Sequence, residues 1–397
     1  MAKRAQKAGK RAVGPAKSRT GRAPRPGNSK KSGGAATSPG EELDPALAAR
    51  LVRDLVVWFD RERRALPWRA DRNPYRVWIS EAMLQQTRVE TVIPYYLRFL
   101  ARFPTVEALA AAEVEDVLAL WSGLGYYRRA RTLHATAREL VELHGGRFPR
   151  ERERVLELSG IGPYTAGAVL SIAYGLPEAL VDGNVARVFA RLFVLDGDPA
   201  SKEFQARTWE LARALVAHAK RPGDWNQALM ELGALVCTPR EPACERCPVR
   251  DACGALAARR VHELPRAKAR PATLDVALVV LAARSGGALV LEQRPDGGRM
   301  AGLWQLPTIE LGARGHLAPL DWPDGASVVL AEPVGELAHS ITRHRIRATV
   351  RRGEVRGRAL PPAWRRVARE ELAGVALTGL TRKALVAPFF RAVWERG

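Results

Sequence analysis

Four cysteines lie close together in the second half of the chain, and they are the only cysteines it has. Cys237, Cys244, Cys247 and Cys253 follow the spacing Cys-x6-Cys-x2-Cys-x5-Cys. Four thiolates this close in sequence can surround one tetrahedral ion or one inorganic cluster, and zinc and [4Fe–4S] both accept four sulfurs. One tight group in a long chain is typical of a metal site in a reducing compartment, whereas a secreted disulfide scaffold scatters its cysteines.

A carboxyl group stands in an apolar stretch at residues 78–87. Glu81 lies there among tryptophan, isoleucine, methionine and leucine on a predicted helix. Desolvation would raise its pKa and suit it to donate a proton near neutral pH. The alternative is a glutamate on the exposed face of the helix, which is the usual position of this residue type.

A second motif predicts a tight hairpin between two helices at residues 158–166. Gly160 and Gly162 stand two residues apart, and Pro163 suits the first turn of a helix. Free backbone amides at that turn could hold a phosphate oxygen, although two glycines at this spacing are more often a simple turn. Asp182 follows twenty residues after Gly162, next to Asn184.

The net charge of +21 favours a polyanionic partner, and nucleic acid is the leading candidate. A solvated basic surface is the alternative. Residues 1–40 hold eleven Lys and Arg and no Asp or Glu, so we expect residues 1–45 to form a disordered basic tail. This tail has no apolar core of a secretory signal, and no apolar run in the chain is long enough to span a membrane.

Helical periodicity predicts that residues 46–236 form an all-α domain. Asp44-Pro45 and Asn73-Pro74 are start signals of helices, and apolar residues recur at helical spacing after the first of them. The cysteine loop at 237–253 and a linker at 254–272 follow. Residues 273–397 change to an α+β pattern, with strands expected at 274–283, 288–293 and 346–350 and a final helix at 384–394.

Taken together, the Glu81 segment, the hairpin with Asp182 and the cysteine spacing resemble the MutY family of adenine DNA glycosylases. These are helix-hairpin-helix repair enzymes, of which endonuclease III is the nearest relative. Residues 289–294 and 301–307 resemble the Nudix-like domain of the same family, and the resemblance covers residues 46–397. It implies an all-α glycosylase domain with an iron–sulfur cluster loop, followed by an α+β Nudix-like domain. It also implies a [4Fe–4S] cluster on the four cysteines.

The resemblance implies hydrolysis of the N-glycosidic bond of adenine. Glu81 would protonate N7 of the base, and Asp182 would stay ionised and stabilise the sugar cation, as two carboxyl groups in different environments do in glycosidases. Asn184 and Tyr164 would orient Asp182 and the water. Endonuclease III-like enzymes carry a lysine nucleophile in place of Tyr164, so the chain is expected to be monofunctional. The adenine must first leave the base stack.

Further residues match family positions that face DNA. The expected DNA contacts are Gln86, Thr87, Leu124, Tyr126, Gly160, Gly162 and Thr342, and the expected base pocket contains Trp68, Arg69 and Gln227. Core packing is the alternative for Tyr126 and its neighbour Tyr127. The loop that reads 8-oxoguanine in the family ends in Phe-Ser-His, but here the stretch is 339–344, where Thr342 replaces the serine.

In this stretch the family histidine is either replaced by Arg343 or shifted to His344. The Nudix-like domain lacks the acidic cluster that holds magnesium in true Nudix hydrolases, so we expect a binding module. The expected partner is duplex DNA with an adenine opposite 8-oxoguanine or guanine, and the expected state is a monomer in a bacterial cytoplasm, associated with the nucleoid. Two alternatives stay open, an endonuclease III-like glycosylase/lyase for oxidised pyrimidines and a non-catalytic DNA-binding iron–sulfur protein.

Overall fold

The computed structural model describes residues 43–266, 272–295, 300–311, 327–356 and 360–395, and the predicted basic tail falls almost wholly outside these ranges. The first part of the chain is helical, with a 3-10 turn at Pro67–Arg69 and a π-helical turn at Val169–Ala173. Its helices are α1 (Pro45–Glu62), α2 (Pro74–Leu84), α3 (Val89–Arg102), α4 (Val106–Ala110), α5 (Val114–Trp121), α6 (Arg128–His144), α7 (Arg152–Glu157), α8 (Pro163–Ala168), α9 (Gly183–Leu192), α10 (Lys202–Val216) and α11 (Pro222–Leu235).

Several helices begin where a polar side chain accepts a hydrogen bond from an amide of the first turn. The Asp44 side chain accepts a hydrogen bond from the amide of Ala46 at the start of α1. The Asn73 side chain does the same for Arg76 in α2, and both helices have proline in their first turn. Large aromatic side chains fill the core of this part of the chain, and Phe59, Trp121 and Trp225 are at most 1% exposed.

The second part of the chain is built on a mixed seven-stranded sheet. Its central order is β3-β2-β1-β6-β5, with β4 paired to β1 and β7 paired to β2. Strand β1 runs parallel to β6, and β5 with β6 forms a long antiparallel hairpin. The strands are β1 (Leu274–Ser285), β2 (Ala288–Gln293), β3 (Trp304–Gln305), β4 (Thr308–Glu310), β5 (Ser327–Ile341), β6 (His344–Arg356) and β7 (Trp364–Val367).

Two details of the expected layout are wrong. Within the predicted linker, the short helix α12 (Gly254–Ala257) forms, and Val261 and Leu264 are buried beside it. The predicted final helix is two helices, α13 (Gly379–Leu385) and α14 (Arg391–Glu395). Pro388 lies between them at the start of a 3-10 turn, because proline cannot donate the backbone hydrogen bond that a continuous helix requires.

The helical and sheet-containing parts are packed against each other. Leu303 is fully buried and belongs to the hydrophobic core of the helical part. The Ser122 hydroxyl donates to the carbonyl of Leu377 at 3.1 Å, and the Arg131 guanidinium donates to the carbonyl of Ala301 at 2.9 Å. These contacts join the segments before β3 and before α13 to the helical part, and the tip of the β5–β6 hairpin lines one groove with the loop that connects α5 and α6. None of the helices that the structure describes has the length and apolar character of a membrane span.

Candidate active site

Glu81 lies on the buried face of α2, near the end of that helix. Its side chain is 5% exposed, and its Oε2 accepts a hydrogen bond from the hydroxyl of Tyr164. Burial raises the pKa of Glu81 to about 7, although the hydrogen bond from Tyr164 opposes the rise. A carboxyl group with this pKa can be protonated at neutral pH and can give its proton away during a reaction. The exposed-face alternative for Glu81 is therefore wrong.

Asp182 caps the first turn of α9. Its two oxygens accept hydrogen bonds from the amide of Val185 at 2.7 Å and from the side-chain amide of Asn184 at 2.9 Å. Burial raises the pKa of Asp182, but these hydrogen bonds and the nearby Arg187 favour the ionised form. These hydrogen bonds suit the half-buried Asp182 to the role of the anion, and the raised pKa suits Glu81 to the role of the proton donor.

Both carboxyl groups open into one cavity of about 160 Å³ between α2, α8, α9 and α11. The cavity also contains the other residues expected at the reaction site and base pocket, and the expected DNA contact Thr87. The former are Trp68, Arg69, Tyr164, Asn184 and Gln227. The Asn184 side chain donates to Asp182, whereas the Tyr164 hydroxyl donates to Glu81. The roles expected for Asn184 and Tyr164 toward Asp182 and the water stay predictions.

One wall of the cavity contains an ion-pair cluster that the sequence did not reveal. Glu231 is 1% exposed and lies within 3.0 Å of the guanidinium groups of Arg64 and Arg69. Burial opposes ionisation, yet the hydrogen bonds from both arginines lower the pKa of Glu231 to about 2. Arg69 also donates to the Gln227 side chain at 3.1 Å. The signal available in the sequence was position, because Glu231 lies one helical turn beyond Gln227 on α11.

Replacing Glu81 by Gln should stabilise the protein at alkaline pH. The folded pKa of Glu81, about 7, lies above its ordinary value of 4.5, so its stabilising contribution is full below pH 4.5 and is lost as pH rises through 7. Glutamine is neutral throughout and still accepts the hydrogen bond from Tyr164. We expect a gain on the order of 1–3 kcal/mol at pH 8 and little gain at pH 5, measured by urea unfolding. Equal gains in unfolding free energy at both pH values would contradict the conclusion that Glu81 is buried with a raised pKa.

A second, larger groove of about 1170 Å³ runs between the helical part and the β5–β6 hairpin. The expected DNA-contact residues Gln86, Tyr126, Gly160 and Thr342 line it together. Gly160 has a φ of +71°, and a side chain there would collide with Thr132, so the hairpin requires glycine at this position.

Other expected contacts do not lie in this groove. Leu124 is buried, with 6% exposure, and packs into the helical core instead of facing DNA. Tyr126 is 47% exposed and Tyr127 is 7% exposed, so core packing describes only the second of the two tyrosines. Gly162 precedes α8 and is half-buried, outside the residues that line the groove.

The tip of the β5–β6 hairpin brings a different histidine into the groove. His339 and Thr342 line it, whereas Arg343 and His344 do not. His344 pairs with Ile341 across the turn, as the first residue of β6. His339 therefore offers an imidazole to the groove, and the expectation for Arg343 and His344 stays a prediction.

The four cysteines are half-buried, and two of them, Cys237 and Cys253, contact Arg191 of α9. The Arg191 guanidinium donates to Sγ of Cys237 at 3.3 Å, and Sγ of Cys253 lies 3.5 Å from the Arg191 carbonyl oxygen. Arg187 links this loop to the reaction site, since it donates to the carbonyl of Cys237 and to the Asn184 side chain. In the described ranges, no three His, Cys, Asp or Glu side chains are grouped in the arrangement that holds a metal ion. The donor set is nevertheless all thiol, as iron–sulfur clusters require.

Comparison with known proteins shows which family the chain belongs to. A profile of the HhH-GPD superfamily of base excision DNA repair proteins matches residues 79–214, and a NUDIX domain profile matches residues 278–387. The adenine DNA glycosylase of Rattus norvegicus is 38% identical over 355 residues, covering 75% of this chain and 69% of the relative. That of Homo sapiens is 35% identical, covering 86% and 74%. Among solved structures, a thermostable thymine-DNA glycosylase is 30% identical, with a TM-score of 0.49, covering 54% of this chain and all of that one.

The two relatives extend across both parts of the fold, and the two profiles fall on the helical part and on the sheet. The chain belongs to the MutY family of adenine DNA glycosylases, with a helix-hairpin-helix domain followed by a Nudix-like domain.

Proposed function

We propose that the protein is a monofunctional DNA glycosylase that removes adenine from base pairs with 8-oxoguanine or guanine in duplex DNA. The observation that carries this proposal is the cavity that Glu81 and Asp182 share, with Glu81 buried and Asp182 held by hydrogen bonds that favour its anion. Curated relatives that match over most of this chain carry the name adenine DNA glycosylase, which supports adenine as the base. The net charge of +21 supports DNA as the partner.

In the proposed mechanism, the protonated Glu81 carboxyl gives its proton to N7 of an extruded adenine. The C1′–N9 bond breaks and its electron pair stays with the base, which leaves as neutral adenine. The ionised Asp182 stabilises the positive charge that develops on the sugar, as preorganised charges do in other active sites. A water then adds to C1′ and returns a proton to Glu81. Tyr164 keeps the Glu81 carboxyl aimed at the base through its hydrogen bond.

The absence of strand cleavage by the protein itself follows from Tyr164. A lyase needs an amine nucleophile at this place to form a Schiff base with the sugar. Burial raises the pKa of Tyr164 well above its ordinary value, and the negative charge of Glu81 raises it further. The hydroxyl therefore stays protonated and acts as a hydrogen-bond donor.

The rate of adenine release should depend on pH through Glu81. At saturating protein the rate should be level below about pH 7 and fall roughly tenfold per pH unit above it, because only the protonated acid can donate. The measurement is a single-turnover pH profile on a duplex with one adenine opposite 8-oxoguanine. A duplex with an oxidised pyrimidine serves as the comparison, and release of that base instead of adenine would favour the endonuclease III-like alternative.

The four cysteines fit a [4Fe–4S] cluster as their resident group. Cys237, Cys244, Cys247 and Cys253 would each supply one thiolate, and the bound cluster would hold the loop in one conformation. The backbone of Cys237 receives a hydrogen bond from Arg187, which also contacts Asn184. The loop thereby supports the residue that orients Asp182. We further propose that the protein acts as a monomer on chromosomal DNA in a bacterial cytoplasm.

Discrimination of 8-oxoguanine from guanine is assigned to the tip of the β5–β6 hairpin. Thr342 is exposed there and lines the groove opposite Tyr126 and Gln86. Its hydroxyl donates to the Ile341 carbonyl at 2.7 Å and has free lone pairs to accept from a base. The Nudix-like domain would thus contact the base opposite the adenine.

Thr342→Ala should weaken the preference for 8-oxoguanine over guanine by about 5–20-fold, as expected for the loss of one or two hydrogen bonds. The measurement is the ratio of single-turnover rates on the two mispairs. Arg343→Ala is the matched control, since Arg343 occupies the same turn but does not line the groove. An unchanged ratio in Thr342→Ala would remove Thr342 from this role.

A further inference from the structure

Arg129, in the first turn of α6, closes off the end of the helix that carries Glu81. One guanidinium nitrogen donates to three carbonyls there, those of Ala82 at 2.7 Å, Met83 at 2.9 Å and Gln85 at 2.6 Å. The other terminal nitrogen donates to the Thr87 hydroxyl at 3.2 Å and to one further carbonyl, in the loop between α5 and α6, at 3.3 Å. The last carbonyls of a helix have no partner within the helix, so Arg129 satisfies groups that would otherwise need water.

The same guanidinium is enclosed by aromatic rings. Its central carbon lies 5.3 Å from the ring centre of Trp121 and 5.5 Å from that of Tyr126. Within the described part of the chain, no carboxylate lies within ion-pair distance of Arg129. Burial lowers the pKa of its guanidinium to about 10. The positive charge is balanced by ring faces and by the negative end of the α2 dipole.

Two residues next to the contacts of Arg129 have an unusual backbone conformation. Gln86 has a φ of +58° and Tyr126 a φ of +50°, in the left-handed region that residues with side chains avoid. Both line the large groove and both are exposed. A strained residue persists only where its surroundings fix it, and such residues cluster at functional sites. Arg129 binds the carbonyl that precedes Gln86 and stacks on the ring of Tyr126.

We propose that Arg129 is a positioning residue that holds Gln86 and Tyr126 ready to enter the base stack when the adenine leaves it. The inference rests on the proposed function. In this role one side chain fixes two turns that come from different parts of the sequence. It also links both turns to the end of α2. The residues that enter the DNA therefore keep a fixed position relative to Glu81. Because the turns are already formed, less ordering remains to be done when DNA binds.

Arg129 could instead act only as a cap that stabilises the fold, and the two roles predict different results. A cap alone would change the melting temperature and leave base extrusion normal in the protein that remains folded. The positioning role changes extrusion, and part of this change acts through Tyr126. A double-mutant cycle between Arg129 and Tyr126 separates the two roles, since residues that act together give effects that do not multiply.

The test uses a duplex with 2-aminopurine opposite 8-oxoguanine, whose fluorescence rises when the base unstacks. The protein carries Glu81→Gln so that base removal is slow on the time scale of the measurement, and it is kept in saturating excess. Arg129→Met should lower the ratio of unstacked to stacked base about tenfold. The loss in the double variant with Tyr126→Ala should be smaller than the product of the two single losses, because the part of the Arg129 effect that acts through Tyr126 is already gone. Arg129→Lys, which keeps the charge but not the planar fork, should fall between parent and Arg129→Met.

Arg138→Met is the matched control, because Arg138 is exposed on the same helix and its replacement removes the same charge. Normal unstacking in Arg129→Met, or losses that multiply in the double variant, would overturn the proposal. If Arg129→Met does not fold, Arg129→Lys decides, and parental unstacking in it would overturn the proposal. Adenine release by the protein with intact Glu81 is measured alongside. Its absence would refute the proposed function, whereas its presence with normal unstacking in Arg129→Met would refute only the role of Arg129.

Discussion

Replacing Glu81 by Gln is expected to slow adenine release by a factor of about 10²–10⁴, the range that a positioned general acid contributes. Glutamine keeps the size of the side chain and its hydrogen bond from Tyr164, but it has no proton to give to N7. The measurement is the single-turnover rate on adenine opposite 8-oxoguanine, with DNA affinity determined separately. Below pH 7 the affinity should stay close to that of the parent, because Glu81 is buried and mostly neutral there.

The exposed Glu142 on α6 offers a matched control, since Glu142→Gln makes the same chemical change far from the cavity. The control should retain the parental rate. The residual activity of Glu81→Gln should also lack the decline above pH 7. A variant that is slow but keeps this decline would mean that another group supplies the titrating proton.

Replacing Asp182 by Asn is expected to slow adenine release by about 10²–10³-fold, the effect of removing one preorganised charge from a developing transition state. Asparagine cannot balance the positive sugar. Its amide would also point a donor toward the donors of Val185 or Asn184, which now bind the two carboxylate oxygens. The loss should persist at every pH, because no proton equilibrium restores a charge to asparagine.

Asp54→Asn, at a half-buried position of α1 that does not line the cavity, tests whether the loss of any one negative charge matters. It should leave the rate unchanged. A loss of less than about fivefold in Asp182→Asn would contradict the proposal that the Asp182 carboxylate stabilises the positive sugar. The residues of the shared cavity would then need another mechanism.

The sequence predicted the two carboxyl groups that share the cavity because each belongs to a short continuous motif. Helical start signals placed α1 and α2 correctly, and the apolar run at 288–293 coincides with β2. The strand at 346–350 was found, but only as part of the longer β6. Strand β5 escaped because Pro333 and Gly335 interrupt it, and the register of the hairpin shifts at these residues.

Contacts between residues far apart in the chain could not be predicted from the sequence. The hydrogen bond of Tyr164 to Glu81 joins residues 83 positions apart, and Glu231 meets Arg64 across 167 positions. No local pattern carries such pairings, since they arise when α2, α8 and α11 pack around one cavity. The same reasoning applies to His339, whose place in the groove depends on which face of the β5–β6 hairpin turns toward the helices.

The central claim is tested most directly by a single-turnover assay on a duplex with one adenine opposite 8-oxoguanine, analysed with and without alkali. Free adenine should appear, and the strand should break only after alkali, because Tyr164 offers no amine to cleave the sugar. A duplex with guanine in place of 8-oxoguanine should react more slowly. Release of no adenine by the iron-loaded protein, or strand breaks that form without alkali at the rate of base release, would contradict a monofunctional adenine glycosylase.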